Sequence, residues 1–331
     1  MSDRTRNLAI PAEWAPHKAI WTAWPSHADL WQDDLAGARA EFTAMVEALA
    51  GGDTLKVLAC GAEAVVSARE AIGAIAEVIP AHFGDIWLRD TGPIFAVAGG
   101  KTVALRFANN GWGGKYALPG DDRVGDEVAA AAGVDAIAFD FVLEGGALEH
   151  NGAGAILTTR QCLLNPNRNT GWTEATAETL LREAFNCRRV LWLENGLLND
   201  HTDGHVDNLA RFIAEDAVVC QAPSGADDPN AALYATIADE LRAMQLKVHC
   251  VPSPGRICND DGEVVPASHM NFIIGNKAVV VPTYNKEHGD AAVAALQSLF
   301  PDRKVVGVAS QHLLTGGGSF HCITQQEPAR P

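Results

Sequence analysis

One short segment holds most of the residues that could do acid–base or metal chemistry. Residues 200–207 read Asp-His-Thr-Asp-Gly-His-Val-Asp, which places two imidazoles and three carboxylates within eight positions. On a strand that begins near His205, alternation puts His205 and Asp207 on one face, as a general acid/base beside a carboxylate that binds a cation. A metal site is the alternative, because imidazole and carboxylate are both zinc ligands. Its ligands would be His201, Asp203, His205 and Asp207. A polar surface loop without a function is a weaker explanation for so many ionisable residues in one short segment.

A cysteine near the end of the chain is the candidate nucleophile. Cys322 follows Gly316-Gly317-Gly318 closely. Glycines let a backbone approach a ligand, so we expect Gly318 to contact the substrate. The other six cysteines have apolar neighbours, which predicts that they are buried and inert. The seven cysteines are odd in number and include no Cys-x-x-Cys pair, which disfavours a disulfide framework or a structural zinc site.

Two further carboxylates stand where a loop could present them to a ligand. Asp90 follows Trp87 by three residues and precedes a Thr-Gly-Pro turn, while Glu144 ends an apolar stretch and precedes two glycines. Taken alone, Asp90 is more simply an ion-pair partner of Arg89 at the surface, and Glu144 is equally a strand cap. Trp87 and Trp112 could form the aromatic walls of a site, although most tryptophans only pack.

The overall charge favours a small cationic partner. The 331 residues include 25 Lys and Arg against 41 Asp and Glu, a formal net charge of −16. Such an excess repels a nucleic-acid backbone and an anionic membrane surface, and it attracts small cations. No apolar run approaches the ~18 residues of a membrane span, and Met1–Asn7 leads into no apolar leader. The sequence therefore predicts a cytoplasmic protein without nucleic-acid or membrane partners.

These residues need a framework, and the periodicity predicts repeated helix–strand pairs. The five pairs are 33–50 with 54–59, 121–132 with 135–139, 173–186 with 189–193, 229–244 with 246–251, and 287–299 with 304–308. A sixth helix is expected near 62–72. Hairpin turns are expected at Gly99-Gly100, Asn151-Gly152, Glu215-Asp216 and Gly275-Asn276.

The hairpin–helix–strand unit recurs about every 60 residues, which is typical of a repeat architecture. One such unit cannot bury its own sheet face, so the pattern favours a closed radial array in a single domain, 1–331. Strands at 19–24 and 320–325 would complete the fifth unit by pairing the two ends of the chain. An ordinary doubly wound α/β sheet is the alternative, because helix–strand alternation alone would also suit it.

Together the motifs resemble those of a known family. The order seen in agmatine deiminases is matched by Trp87–Pro93, Glu144–Gly146, Gly204–Asp207 and Gly316–Gln326. Agmatine deiminases belong to the guanidine-modifying (pentein) superfamily, together with bacterial peptidylarginine deiminases. The resemblance runs from Pro11 to Gln326, nearly the whole chain. It implies a five-bladed, pseudo-symmetric α/β propeller with the active site on its central axis.

The resemblance also implies roles for individual residues. Cys322 would be the nucleophile and His205 the acid/base. The guanidinium would be held by Glu144, Asp90 and Asp207, with Trp87, Trp112 and Gly318 as further substrate contacts. No metal or organic cofactor would be required. The implied reaction converts agmatine to N-carbamoylputrescine and ammonia through a covalent amidino-cysteine, a step of polyamine (putrescine) biosynthesis.

One position departs from the family pattern. Agmatine deiminases often read Asp-Glu-Thr or Asp-Asp-Thr where this chain reads Asp200-His201-Thr202. A carboxylate at that position would suit the distal ammonium of agmatine, so the histidine leaves the substrate less determined than the reaction class. An arginine or peptidylarginine deiminase is an alternative, and a metal-dependent hydrolase is the alternative from another class. A homo-oligomer is compatible with the sequence.

Overall fold

Five small β-sheets and the helices between them make up the part of the chain that the structure describes. The computed structural model describes residues 8–329, so residues 1–7, where the sequence predicts no leader, lie outside the described range. In sheet order, the strands are Leu8–Ala9, Ile94–Ala98, Lys101–Ala108 and Asp135–Val142; Arg189–Leu193, Ala155–Thr159 and Glu149–His150; Ala210–Ala214, Ala217–Ala222 and Lys247–Pro252; Ile273–Ile274, Ala278–Thr283 and Lys304–Ala309; and Thr324–Pro328, His17–Ala23, Leu55–Ala59 and Glu77–Pro80.

The five sheets share one connection. In each, two strands pair antiparallel, and a helix then returns the chain to a strand that pairs in parallel with the second of them. For example, Ala210–Ala214 pairs with Ala217–Ala222, and Lys247–Pro252 joins after the helix Ala231–Ala243. A parallel partner requires such a crossover, whereas a tight turn suffices for an antiparallel one. The fold is therefore α/β and contains the predicted hairpin–helix–strand repeat.

The returning helices bury one side against the sheets. They are Leu35–Leu49, Val124–Ala132, Glu174–Phe185, Ala231–Ala243 and Lys286–Leu299. In the first, Phe42 is fully buried and packs edge-on against Trp24, with ring centroids 5.3 Å apart. Burial of such a side chain stabilises the fold by ~1.5–3 kcal/mol, and Phe42→Ala would cost ~3–5 kcal/mol. Among residues 8–329, no helix combines the length and apolar character needed to cross a membrane.

Local signals fix where several helices begin and end. The side chains of Thr173 and Asn285 accept hydrogen bonds from backbone N–H groups in the first turns of their helices. Gly133, with φ of 68°, ends the helix before it in the left-handed conformation. The remaining short helices are Ala28–Trp31, Ala62–Ile72, Leu88–Thr91, Gly111–Gly114, Arg160–Leu163 and Gln311–Thr315, with 3₁₀ turns at Gln32–Asp34, Gly145–Ala147 and Val206–Asn208.

Strands near the two ends of the described chain meet in one sheet. Thr324–Pro328 runs antiparallel to His17–Ala23, which confirms the predicted pairing of the two ends. The four predicted hairpin turns each join antiparallel strands, and the five predicted helix–strand pairs are present with small shifts at their bounds. The predicted sixth helix, Ala62–Ile72, leads to an additional edge strand, Glu77–Pro80.

Two local expectations are wrong. His205 and Asp207 do not lie on a strand, because Val206–Asn208 forms a 3₁₀ turn and the strand begins only at Ala210. Residues 320–323 likewise form a turn, in which the backbone N–H of Ile323 donates to the carbonyl of Ser319 at 3.2 Å. In both places polar side chains engage the neighbouring backbone, so the chain turns before it enters the sheet.

The expectation that six cysteines are buried is also partly wrong. Cys162, Cys187 and Cys220 are buried, but Cys250 and Cys258 are exposed and Cys60 is intermediate. Cys250 lies on Lys247–Pro252, the edge strand of its sheet. Of these six cysteines, only Cys220 and Cys250 lie on strands, so apolar neighbours in the sequence did not determine the burial of each cysteine.

Candidate active site

The candidate site is built from turns and one short helix that lie just before the first strand of each hairpin–helix–strand repeat. Asp90 precedes Ile94–Ala98, Glu144 precedes Glu149–His150, and Asp207 precedes Ala210–Ala214. Cys322 precedes Thr324–Pro328 in the same way, and Asn271, which sequence reasoning missed, precedes Ile273–Ile274. Each of the five sheets thus contributes one polar residue at the same point of its repeat. The contacts below join these residues into one cluster.

Cys322 is buried, and Asn271 fixes it. The Asn271 side chain accepts hydrogen bonds from the backbone N–H groups of His321 (2.9 Å) and Cys322 (3.2 Å), and its Nδ2 donates to Cys322 Sγ at 3.0 Å. Cys322 Sγ lies 3.7 Å from Asp207 Oδ2. Burial, together with the charges of Asp207 and Asp90, raises the pKa of the Cys322 thiol well above its ordinary value. The substrate-free site therefore holds a protonated thiol.

His205 lies between two carboxylates. Its Nδ1 is 3.7 Å from Asp90 Oδ2 and its Nε2 is 3.5 Å from Glu144 Oε2, and neither ring nitrogen has a hydrogen-bond partner among the described residues. Burial disfavours the charged imidazole, but the charge of Asp90 and contacts with Cys162 and Glu144 outweigh it and raise the pKa of His205 well above its ordinary value. The buried imidazole therefore retains its proton and can serve as a general acid.

Asp207 keeps one oxygen free. Its Oδ2 accepts from His321 Nδ1 at 2.8 Å, and Oδ1 is buried without a partner among residues 8–329. The other ring nitrogen of His321 lies 3.1 Å from Glu13, which is paired with the buried Arg211. Burial would raise the pKa of Asp207, but the hydrogen bond and charge of His321 lower it below its ordinary value. An ionised carboxylate with a free oxygen is suited to a cationic ligand.

Asp90 and Glu144 are held by donors that leave them facing His205. Asp90 accepts from the backbone N–H of Gly146 (2.8 Å) and from Trp112 Nε1 (2.9 Å). Burial raises the pKa of Asp90. Glu144 accepts from Arg168 Nε at 2.9 Å. For Glu144, burial would raise the pKa, but His205 and Arg168 lower it.

Two tryptophans and a glycine shape the approach to Cys322. A Cβ on Gly318 would lie 2.6 Å from Trp87 Cζ3 and 3.1 Å from Cys322 Cβ, so only glycine lets this backbone pass between them. Trp87 also packs against Trp31, with ring centroids 6.2 Å apart. Trp112 adopts φ of 51° and ψ of 49°, a left-handed conformation that is strained for a bulky residue, while its indole N–H binds Asp90.

A cavity of about 610 Å³ leads from the surface to Cys322. Its inner part is bordered by Trp87, Asp90, Trp112, Gly318 and Cys322, and its outer part by Asp33, Asp34, Tyr116, His201 and Asp260. No lysine or arginine of the described residues borders it. His205 and Asp207 lie directly behind it, in contact with Asp90 and Cys322 respectively. The cavity is therefore lined by carboxylates both at its opening and near Cys322.

The four residues of the metal alternative do not converge on one centre. Asp203 is paired with Lys115 and Arg168, and His201 stacks on Tyr116 at 6.1 Å between ring centroids. A different set, Glu144, Cys162 and His205, has ligand atoms within 4.8 Å of one another, as does the set Glu13, Glu149 and His321. Arg211 already pairs with both carboxylates of the second set, so the first is the better candidate for a cation.

The structure brings all eight predicted site residues together. They are Cys322, His205, Glu144, Asp90, Asp207, Trp87, Trp112 and Gly318. Sequence reasoning missed the residues that hold them in place, namely Asn271, Arg168, His321 and Cys162. The register of the repeat marks Asn271, and His321 adjoins Cys322, whereas nothing local marks Arg168 or Cys162.

The arrangement is suited to a planar cation beside a nucleophile. Three buried carboxylates, one with a free oxygen, can match the N–H groups of a delocalised cation such as a guanidinium or amidinium. A thiol and a protonated imidazole stand beside them, which are the groups for covalent attack and for protonation of a leaving group.

The comparisons with known proteins agree with this chemistry. Residues 9–328 match the family model described as Porphyromonas-type peptidyl-arginine deiminase. The agmatine deiminase of Stutzerimonas stutzeri (strain A1501) is 36% identical over 97% of this chain and 95% of its own length. That of Ectopseudomonas mendocina (strain ymp) is 33% identical over 98% of this chain and 97% of its own.

Solved structures are similar over the same extent. The agmatine deiminase of Enterococcus faecalis has a TM-score of 0.93 at 30% identity, covering 99% of this chain and 98% of its own. A cysteine-to-serine variant of the C. jejuni agmatine deiminase, solved with substrate bound, has a TM-score of 0.91 at 27% identity, covering 98% and 97% of the two chains.

Proposed function

The chain belongs to the Porphyromonas-type peptidyl-arginine deiminase family, and we propose that it hydrolyses agmatine to N-carbamoylputrescine and ammonia. One observation supports this most strongly. The carboxylates of Asp90, Glu144 and Asp207 surround a buried imidazole beside Cys322, and both nitrogens of His205 and Oδ1 of Asp207 are without partners among the described residues. Buried polar atoms are rarely left unpaired. The free oxygen of Asp207 can accept from a ligand N–H group, and the protonated imidazole of His205 keeps its own N–H groups available for donation.

In this proposal the guanidinium itself activates the nucleophile. Its N–H groups donate to Asp207 and to the neighbouring carboxylates, and its charge lowers the pKa of the Cys322 thiol, which the empty site raises. The thiol proton leaves as substrate binds. The thiol is therefore an effective nucleophile only when a cation is present, which protects it from unspecific reactions.

Two steps complete the reaction. The Cys322 thiolate forms an S–C bond with the guanidinium carbon, and His205 protonates the departing nitrogen as its C–N bond breaks and ammonia leaves. His205, now neutral, takes a proton from water, whose oxygen bonds to the same carbon. The C–S bond then breaks, the thiolate returns, and the ureido product leaves. Ammonia takes up the remaining proton as ammonium.

The acidic cavity favours agmatine over arginine. Arginine carries an α-carboxylate, which the carboxylates at the cavity mouth would repel, and agmatine lacks it. No arginine or lysine of the described residues borders the cavity to receive that α-carboxylate; Arg256, for example, is paired with Asp227 away from it. A peptidylarginine would have to bring its neighbouring backbone through the same mouth.

A panel of substrates tests the proposal. Ureido product is measured with agmatine, arginine, a peptidylarginine and butylguanidine. We expect kcat/KM for agmatine to exceed that for arginine by at least about tenfold, on the order of 1.4 kcal/mol. Equal or better use of arginine or peptidylarginine would contradict the agmatine assignment and leave deimination standing. No ureido product from any of the four would contradict deimination itself.

We also propose that the five sheets form a five-bladed, pseudo-symmetric propeller and that residues 1–331 are one domain. Two features support this: His17–Ala23 and Thr324–Pro328, from opposite ends of the chain, pair within one sheet, and each sheet contributes one residue to the site just before the first strand of its repeat. Closure around an axis explains how five turns distant in sequence meet at Cys322. A homo-oligomer is compatible with this proposal.

The proposed place of action is the cytoplasm, in putrescine biosynthesis. A mechanism that depends on the Cys322 thiol requires a compartment that keeps thiols reduced. The partner is then a small cationic guanidine, without nucleic acid or membrane, and no cofactor takes part.

A metal-dependent hydrolase is the second candidate. The ligand atoms of Glu144, Cys162 and His205 lie within 4.8 Å of one another, and a carboxylate, thiolate and imidazole could bind zinc. The salt bridge from Arg168 to Glu144 argues against it, because that carboxylate already has a cationic partner.

A further inference from the structure

One buried carboxylate that borders the cavity has no place in the chemistry described above. Asp85 is only 9% exposed, and it lies two residues before the aromatic wall Trp87. Its Oδ1 accepts from the backbone N–H of Ile86 at 2.8 Å, and its Oδ2 accepts from Trp87 Nε1 at 2.8 Å. The indole N–H of Trp31, which has no other partner among the described residues, also acts on this carboxylate. A carboxylate has about four acceptor positions, so at least one remains for a ligand.

Asp85 makes no salt bridge within the described part of the chain, and the imidazole of His27 is the nearby group that can oppose its charge. Among residues 8–329, neither lysine nor arginine lies within salt-bridge distance of it, and its two hydrogen-bond donors are both neutral. Asp121 is a second carboxylate close to Asp85. Its Oδ1 accepts from the backbone N–H groups of Gly84 (2.9 Å) and Asp85 (3.1 Å), while its Oδ2 is buried without a partner among the described residues. Buried charges are normally paired, and apart from the imidazole of His27 neither carboxylate has a cationic group near it among the described residues.

Trp87 connects Asp85 to the nucleophile. The benzene edge of the indole, at Cζ3, faces Gly318 beside Cys322, and the opposite side of the ring, at Nε1, binds Asp85. Asp85 and Cys322 therefore lie at opposite ends of one aromatic face. A guanidine that reacts at Cys322 and lays its four-carbon chain along this face brings its far end to Asp85.

The other carboxylates of the cavity are less suited to a cation. Asp34 is within 2.7 Å of His312 Nδ1, and Asp33 and Asp260 are exposed at the mouth, where water screens their charge. His201, at the position where the sequence resemblance calls for a carboxylate, faces Tyr116, with Nδ1 3.0 Å from the hydroxyl. Of the acids in this cavity outside the catalytic cluster, only Asp85 is both buried and free of a basic partner.

We propose that Asp85 binds the distal ammonium group of the substrate and so selects guanidines that end in a primary amine. This inference rests on the proposed deiminase function and names the substrate class of that site. Burial raises the pKa of Asp85 above its ordinary value, which agrees with a carboxylate that waits for a positive charge. An alkylguanidine without an amine would leave Asp85 uncompensated.

The test compares Asp85→Asn with wild type on two substrates, agmatine and butylguanidine, which differ in the terminal amine. We expect kcat/KM for agmatine to fall about 10- to 100-fold, as for loss of a charged hydrogen bond. The value for butylguanidine should change by less than about threefold, since its chain makes no use of the charge. Asn retains an oxygen for the Trp87 indole, so that wall stays supported.

Matched variants separate the alternatives. Asp121→Asn removes a neighbouring charge without touching the cavity and should leave the ratio of the two substrates unchanged. Asp33→Asn and Asp260→Asn should do the same. If Asp85→Asn lowers kcat/KM equally for both substrates, Asp85 only positions Trp87 and the inference is wrong. No loss in Asp85→Asn would also contradict it. So would a loss confined to agmatine in Asp33→Asn or Asp260→Asn instead. Wild type inactive on both substrates would be a failure of the proposed function itself.

Discussion

Replacing Asn271 should change the acidity of the nucleophile. Its Nδ2 lies 3.0 Å from Cys322 Sγ, and both residues are buried. A hydrogen bond to a charged group contributes ~1.5–3 kcal/mol. Asn271→Ala should therefore raise the pKa of the Cys322 thiol further and lower its thiolate population about 10- to 100-fold at a fixed neutral pH, since about 1.4 kcal/mol corresponds to tenfold.

The alkylation rate of Cys322 should change less than its thiolate population does. At a pH below the thiol pKa, each further pKa unit lowers the thiolate population about tenfold. A more basic thiolate is also more nucleophilic, with a Brønsted slope of about 0.4–0.5. On a logarithmic scale, the higher nucleophilicity thus compensates about half of the loss in thiolate population. We expect alkylation of Cys322 by iodoacetamide to slow by about 3- to 10-fold at a fixed neutral pH.

The assay follows the mass of the peptide that contains Cys322 over time, across a pH series. Asn208→Ala is the matched control, because Asn208 Oδ1 accepts from the same Nδ2 at 2.9 Å without contacting sulfur. Asn271→Asp keeps an acceptor for the backbone N–H groups of the turn, removes the donor and adds negative charge, so it should slow alkylation further. Unchanged or faster alkylation in both Asn271 variants, with the fold intact, would refute this reasoning.

Three further predictions concern the acid/base, the metal alternative and pH. His205→Asn should lower kcat by roughly 10²–10⁴-fold, whereas His201→Ala should cost much less; equal losses in steady-state assays would mean misassigned roles. Exhaustive chelation should leave activity unchanged, and loss that a divalent metal restores would favour the metal hydrolase. Burial raises the pKa of Asp121 from its ordinary 3.8 to about 6, so stability falls as pH rises from about 4 to 6. Asp121→Asn should remove that fall and add up to ~3 kcal/mol to the free energy of unfolding at pH 8, measured by denaturant titration; a loss of stability there would contradict the sign.

The repeat could be predicted from sequence because its signals are local. Gly99-Gly100 and Asn151-Gly152 turn the chain tightly between strand-like runs, and a helical period follows each hairpin. The turns that hold His205 and Cys322 could not be predicted in this way. Their geometry depends on Thr202 and Asn271, whose side chains bond to backbone N–H groups of the turns, and the second is distant in sequence.

The reacting residues were recognisable because each stands in a glycine-marked motif, but their supporting residues were not. Arg168 and His321 are ordinary polar residues until the fold brings them to Glu144 and Asp207. Asn271 differs, since its place in the repeat matches that of Cys322. A comparison of equivalent positions between repeats would have found it.

The covalent adduct on Cys322 is the most direct test of the proposed chemistry. Acid-quenched turnover of agmatine is analysed by mass spectrometry of the peptide that contains Cys322. We expect a transient amidino adduct on that peptide in wild type, and neither adduct nor turnover in Cys322→Ala, while Cys187→Ala, which removes a buried thiol away from the site, retains both. An adduct on Cys162 instead, or ordinary turnover by Cys322→Ala, would contradict the mechanism.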